Sequence, residues 1–311
     1  MSRVWAVHGG LALLLLALHF VLPPYHHGVL ARVMVLSVFA MGYNVMFGYA
    51  GLLSLGHALF FAAGMYGMGL TAQLWGWGGA GALLAGLLAA LAVSAGAGVL
   101  ALRTSGVQLM IVTLMFAQAG YLTVLYFGDL TRGDEGFVIA QATRQIAGLD
   151  LSAEGTRYLA AWAAFSLALG LTLWLVTSPF GHVLVAIREN EDRTRMLGYD
   201  TWRYKFAAFV ISGSMAGAAG ALYGLLFGYV GASFAAVQYS ILPLLWVLLG
   251  GAGTVLGPFV GTLFMFYLID LSSGVTTAYL IVVGLALVLL VLFARAGIMG
   301  ELRRRVARWL P

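Results

Sequence analysis

The sequence predicts an all-α fold, a polytopic bundle of transmembrane helices interrupted by broken or re-entrant glycine-rich segments. Three observations predict it. Hydrophobic residues make up 62% of the 311-residue chain and charged residues only 9%, against about 25% charged in an ordinary soluble domain, so no water-facing surface can be assembled. Apolar runs of about 20 residues, enough to cross roughly 30 Å of hydrocarbon as helix, recur from end to end. The runs are continuous rather than alternating, and lipid supplies no partner for backbone N–H and C=O groups, which selects helices over a barrel. The 42 glycines suit membrane helices, whose backbones approach closely through small residues. The whole chain, 1–311, reads as a single membrane domain.

Charged and Pro/Gly-rich interruptions place spans near residues 4–22, 29–49, 58–75, 79–102, 106–127, 158–178, 206–230, 237–252, 258–272 and 276–294. The first follows Arg3, lacks a small-residue cleavage pattern before Pro23, and reads as a retained helix rather than a signal peptide. The two longest polar interruptions differ in sign. Segment 128–157 holds Asp129, Asp134, Glu135, Asp150 and Glu154, whereas 179–205 holds Arg188, Arg193, Arg195, Arg203 and Lys205. Basic loops stay on the cytoplasmic side, so 179–205 and the basic tail 295–311, with Arg295, Arg303, Arg304, Arg305 and Arg308, are expected inside and 128–157 outside. Both termini then face the cytoplasm. Arg32 alone opposes this orientation, near an outer edge from which it can snorkel. The net charge of +5 is explained by these loops rather than by nucleic-acid binding, since no soluble basic face exists.

Several chemistries are excluded. Without cysteine there is no disulfide, thiolate metal site or sulfur redox pair. The only lysine, Lys205, follows Tyr204, so the chain carries no G-x-x-x-x-G-K-[ST] loop and is not its own ATPase. There is no clustered nucleophile and base, and no His-x-x-x-His spacing within a span; His26 and His27 are adjacent and cannot share a helical face. No catalytic residue, metal or cofactor is expected.

Asn44 to Gly56, with Gly48, Gly51 and Ser54, cannot be a comfortable continuous helix. It reads either as a discontinuous helix whose ends offer amides and carbonyls to a zwitterion, or as a close-packed kink. A second glycine-rich break, GGAGTVLGPFVG around 250–261, echoes GYAGLLSLGHA around 48–58, and such paired interruptions can mark an inverted repeat with the transport site between its halves. Polar groups within spans are the default functional candidates: His57, Gln108, Gln118 and Asp270. His57 reads equally as a satisfied interhelical donor. Gln108 and Gln118 are placed nearly on one face, with Thr113 about a quarter-turn from both, as a cavity-facing stripe. Asp270, beside Ser272 and Ser273 near a span end, reads as an interfacial, solvated carboxylate rather than a proton relay. Residues 183–197 form one amphipathic helix ended by Gly198, suited to docking a soluble partner or to lying as a solvated, internally paired segment.

Longer motifs resemble a known family. GYNVMFGYAGLLSLGHALFFAAGMYG, LMIVTLMFAQ followed by TRGDEGF, AIRENEDRTRMLGYDTWRYKFAAFVISGSMAGAAGALYG, LGGAGTVLGPFVG and FARAGIMG together are similar to the blocks of LivM-type permeases of branched-chain amino acid ATP-binding-cassette importers. Arg132, Met65 and Ala296 depart from the usual Gly, Ala and Pro of those blocks. The resemblance implies a permease of the bacterial inner membrane that pairs with a second, LivH-type permease. Two cytoplasmic ATPase subunits and a periplasmic substrate-binding protein are the further implied partners. Asn44, Ser54 and His57 would line the translocation path, together with Gln108, Thr113 and Gln118, while Arg188, Glu189, Asn190, Glu191, Leu197 and Gly198 would carry ATPase coupling. The expected cargo is a branched-chain amino acid, with urea, a short amide or an aromatic acid within the family's range. The alternative is a stand-alone carrier or channel, which would have to use Asp270 as its only acid within a span.

Overall fold

The computed structural model describes residues 2–294, 296–305 and 309. Arg295 and Arg308 of the expected basic tail lie outside the described residues. Fourteen α-helices follow in order among those residues: α1 Ser2–Leu18, α2 Pro24–Asn44, α3 His57–Trp75, α4 Gly79–Ala101, α5 Val107–Tyr126, α6 Gly128–Thr131, α7 Glu154–Thr177, α8 Pro179–Glu189, α9 Glu191–Met196, α10 Thr201–Phe227, α11 Val237–Gly250, α12 Gly257–Ser273, α13 Tyr279–Phe293 and α14 Gly297–Arg305. Each expected span corresponds to one helix, and Pro24–Tyr49, α4, α5, α7 and α10 are each long and apolar enough to cross a membrane unaided.

Helix α2 is the axis of the bundle. It starts where Pro24 occupies the first turn, a position that needs no N–H donor, and it is buried over nearly all its length. Helices α7, α10, α11 and α12 surround it. Its Phe39 contributes to an aromatic core with Phe61, Tyr239 and Trp246. Beside this axis, α3, α4 and α10 pack backbone to backbone. A Cβ on Gly64 would stand 1.9 Å from the Gly217 carbonyl oxygen, and one on Gly220 would stand 1.9 Å from that of Phe61. Only a hydrogen atom fits there, and the glycine content of these spans thereby becomes packing.

Segment 128–157 folds over one end of α10. Its strand β1, Phe137–Val138, pairs antiparallel with β4, Tyr229–Val230, and a small hairpin joins β2, Gln145–Ile146, to β3, Leu149–Asp150. Arg144 donates to the Leu225 and Leu226 carbonyls at 2.8 and 2.5 Å, satisfying acceptors that a helix C-terminus leaves open. Arg32 and Arg157 both lie over the Phe227 ring, 5.2 and 5.7 Å from its centroid. Arg32 is therefore held by the C-terminal turn of α10, where the helix dipole favours a cation, and not by snorkelling alone.

The segment expected as one helix over 183–197 is two. Ser178 caps α8 through its hydroxyl, and Asn190 turns the chain out of helix with φ −161° and ψ 100°. Its side-chain oxygen then accepts from Arg193 N to start α9. A short polar side chain that satisfies the first turn of a new helix competes with continuation of the old one. Gly198, at φ +91°, follows the end of α9, as expected of a residue closing a helix.

Candidate functional site

The first break begins inside α2. After Asn44 the hydrogen-bonding pattern widens to a π-helical turn, Val45–Tyr49, a feature that recurs at functional positions. Gly51 then takes φ +71°, a left-handed conformation costly for residues with a Cβ, and the chain runs without regular structure to α3. The second break lies between α11 and α12, where Gly251 and Gly253 also have positive φ, +119° and +72°.

The two breaks touch. Asn44 Nδ2 donates to the Thr254 carbonyl at 2.9 Å, and Asn44 Oδ1 accepts from Gly253 N at 3.0 Å. One fully buried amide thus satisfies both a donor and an acceptor of the other break. The two breaks that echo each other in sequence thus meet in space, through residues 209 apart in the chain.

Ser54 and His57 close the far side of the first break. The two ring nitrogens of His57 lie 3.2 Å from Ser54 Oγ and 2.8 Å from Ser212 Oγ. A neutral imidazole can donate to one hydroxyl and accept from the other. Ser54 Oγ accepts from Gly56 N at 3.1 Å, Tyr43 donates to the Ser54 carbonyl at 3.0 Å, and Leu55 N donates to Thr113 Oγ1 at 3.2 Å. Ala58 N donates to Ser240 Oγ at 2.8 Å. Hydroxyls from α5 and α11 therefore satisfy backbone N–H groups of a stretch that lies among spans without helical partners of its own, and Ser212 of α10 holds the His57 ring. The sequence reading missed Tyr43, Ser212, Ser240 and Thr254. Tyr43, Ser212 and Ser240 are polar side chains in apolar helices, a local signal of a contact within the bundle, whereas Thr254 meets Asn44 through its backbone carbonyl, which no residue type marks.

Asn44, Ser54, His57 and Thr113 are all buried within the chain and gather at the breaks. Gln108 and Gln118 do not join them, because both are exposed on the outward side of α5, whose inward face is Leu109, Thr113 and Ala117. Five residues at about 100° each separate Thr113 from either glutamine by roughly 140°, so the three cannot form one stripe. Asp270, near the end of α12, accepts from the Tyr25 hydroxyl, and it is partly exposed rather than set at mid-span.

The expected coupling residues also divide. The Arg188 guanidinium reaches back to donate to the Gly48 carbonyl of the first break, while the residue as a whole stays exposed. Gly51 leaves room for it, since a Cβ there would stand 2.7 Å from Arg188 Cγ. Glu191 likewise faces its own chain. It accepts from Lys205 Nζ at 2.7 Å, from Thr201 Oγ1 at 3.0 Å and from Arg195 at 3.3 Å. Partial burial would push its carboxyl up, but Lys205, with Thr201 and Arg195, outweighs that and holds it below the ordinary carboxylate range. Charge reversal at Arg188 and Glu191 would accordingly break contacts within the chain, to the Gly48 carbonyl and to Lys205. Outward-facing groups are Glu189, Leu197, and Met196, which the sequence reading passed over; Met196 and Leu197 are 79% and 76% exposed.

Comparison with known proteins places this geometry. Residues 26–294 match the family described as branched-chain amino acid transport system / permease component. The chain is 30% identical over 300 residues to the high-affinity branched-chain amino acid transport system permease protein LivM of Salmonella typhimurium, covering 87% of this chain and 69% of the relative. It is 32% identical over 143 residues to LivH of Escherichia coli K12, covering 45% and 46%. A shorter match, 31% over 119 residues and 36% and 34% of the two chains, links it to the autoinducer 2 import system permease protein LsrC of Photorhabdus laumondii. No solved structure matches it. Apolar helices from end to end and a family match over most of the length establish a multi-pass membrane protein, and the chain belongs to the family of branched-chain amino acid transport permeases, of LivM type.

Proposed function

We propose that the chain is one of two paired permease subunits that move a branched-chain amino acid through the membrane by alternating access, driven by ATPase subunits docked on α8 and α9. The observation that carries this reading is the mechanical chain from α8 through Arg188 to Gly48, and from Asn44 to Gly253 and Thr254. A displacement of the α8–α9 segment reaches both breaks through hydrogen bonds rather than through flexible loops. Broken helices have unsatisfied ends that can exchange partners between two states at modest cost, which a continuous span cannot do.

In this reading the basic end, with α8, α9 and α14, faces the cytoplasm, and segment 128–157 meets a periplasmic binding protein. The ATPase contact is the apolar knob of Met196 and Leu197 with Glu189 beside it, held rigid by the Glu191–Lys205 tie to α10. An exposed apolar pair rimmed by charge is what a docking site presents. The second permease, of LivH type, covers the outward face of α5, so that Gln108 and Gln118 line a path between subunits. Glutamines facing lipid would be costly, which supports a protein-covered or hydrated setting.

The test is a Met196→Asp/Leu197→Asp variant in the assembled, reconstituted transporter. ATP hydrolysis persists while uptake falls by about tenfold or more, as loss of a docking hot spot of 1.4 kcal/mol or greater requires. Uptake and stimulation of hydrolysis equal to those of the parent would overturn the assignment of α9 as the coupling element.

A further inference from the structure

A cavity of about 440 Å³ opens at the basic end of the bundle, lined by Tyr49, Val176, Thr177, His182, Val185, Arg188, Gly253 and Arg303. Two guanidinium groups converge on one glycine in its wall. Arg303 Nη1 donates to the Gly253 carbonyl at 3.3 Å, and a Cβ on Gly253 would stand 3.1 Å from Arg188 Nη1. Like charges brought together at a membrane interface require a counter-charge, and among the described residues none of the lining groups is an acid. Three of the neighbouring acids are engaged elsewhere, and Glu189, beside Arg188 in sequence, is exposed on the outward side. Glu191 pairs with Lys205 and Arg195, Asp200 with Arg203, and Glu301 with Arg304 and Arg305.

A second observation points the same way. Tyr49, at the end of the π turn, lines this cavity and is only 3% exposed, and its buried hydroxyl has no hydrogen-bond partner among the described residues. An orphaned buried hydroxyl ordinarily costs about 1–3 kcal/mol, so its retention next to two arginines marks an acceptor-rich ligand. Each arginine spends one N–H on a glycine carbonyl and keeps others of its five donors free.

We propose that this cavity binds a phosphate-class anion, the headgroup phosphate of an anionic phospholipid, through Arg188, Arg303 and the Tyr49 hydroxyl. Guanidinium forks match the oxygen pairs of a phosphate. The cavity lies where span ends meet the headgroup layer, and basic pockets between membrane helices are suited to phospholipid headgroups. Val176 and Val185 give it an apolar wall along which an acyl chain can run. The bound headgroup would join α8, α14 and both breaks through a single ligand, so lipid composition would set how firmly the coupling segment grips the bundle. The site requires no particular orientation of the chain and no assumption about its cargo.

The experiment is native mass spectrometry of the full-length permease, with the subunits that co-purify, released from nanodiscs of phosphatidylethanolamine containing phosphatidylglycerol. The parent retains phosphatidylglycerol in preference to phosphatidylethanolamine. Arg303→Gln lowers that retention about tenfold, the loss expected for one charge-assisted hydrogen bond, and the isosteric Tyr49→Phe lowers it severalfold while leaving the elution profile unchanged. Equal retention by the parent and both variants, or no preference for the anionic lipid, overturns the proposal. A thermal shift from inorganic phosphate that is lost in Arg303→Gln, without any retained lipid, would reassign the site to a soluble phosphate. Loss of an ATPase subunit in Arg303→Gln with lipid retention unchanged would overturn it in favour of a protein carboxylate.

Discussion

Replacing Asn44 by Ala leaves Gly253 N and the Thr254 carbonyl without partners in a region that excludes water. Each orphaned group costs about 1–3 kcal/mol, so Asn44→Ala should lose about 2–6 kcal/mol and show it as a lowered thermal midpoint in detergent. An unchanged midpoint would mean the breaks are held together by packing alone. At the other end of the same machinery, Glu191 gives a pH signature. Its folded pKa lies below the ordinary value, so the stability it contributes is present above the unfolded carboxylate pKa and is lost as pH falls through the folded one. The difference in midpoint between the parent and Glu191→Gln should therefore be full at neutral pH and vanish in strong acid; a difference that stayed constant across that range would refute the Lys205 pairing. Residue types were visible in the sequence here, but their partners were not. Arg188 and Glu191 look alike as surface charges of an amphipathic segment, and only their three-dimensional neighbours show that each bonds within its own chain.

Between helices, glycines differ by what stands opposite them. Gly64→Val puts a branched side chain where a Cβ already meets the Gly217 carbonyl at 1.9 Å. It must part α3 from α10, at a cost of about 3 kcal/mol or more, and should abolish recovery of monodisperse protein. Gly96 lies in α4 with nothing within 4 Å of its Cβ position. Gly96→Ala should instead stabilise by about 0.5–1 kcal/mol, the helix-propensity difference, giving a raised midpoint. Equal behaviour of the two variants would show that these close approaches do not hold the bundle together. The apolar runs of the spans and Gly198 at a helix end were readable from the chain, since they depend on local composition and backbone chemistry, whereas α2 starts at Pro24, ahead of the residue 29 expected. The division of 183–197 at Asn190 was also local, but helix propensity and side-chain capping competed there and capping prevailed.

For the molecule as a whole, α5 is the least covered of the five helices long enough to cross a membrane unaided, and it carries Gln108 and Gln118 on that uncovered side. The absence of cysteine makes a clean probe possible. A single Gln118→Cys should react with a membrane-impermeant thiol reagent in the assembled transporter and cross-link to a LivH-type subunit. Burial of that position in lipid alone would leave it unreactive and would remove α5 from the path.

Sequence by itself determined the membrane class, the position of each span and the family, because a hydrocarbon solvent imposes length, composition and backbone satisfaction directly on the local chain. It also marked both glycine-rich breaks, since glycine spacing is a local property of the backbone. Tertiary structure alone decided that those breaks meet through Asn44, that Ser240 and Thr113 satisfy the first of them and that Ser212 holds the His57 ring. Tertiary structure also brought the Arg188 guanidinium to the Gly48 carbonyl. These choices depend on which of several equivalent polar side chains comes within about 3 Å of an unpaired backbone group. That distance is set by the packing of helices far apart in the chain, and no local pattern encodes it.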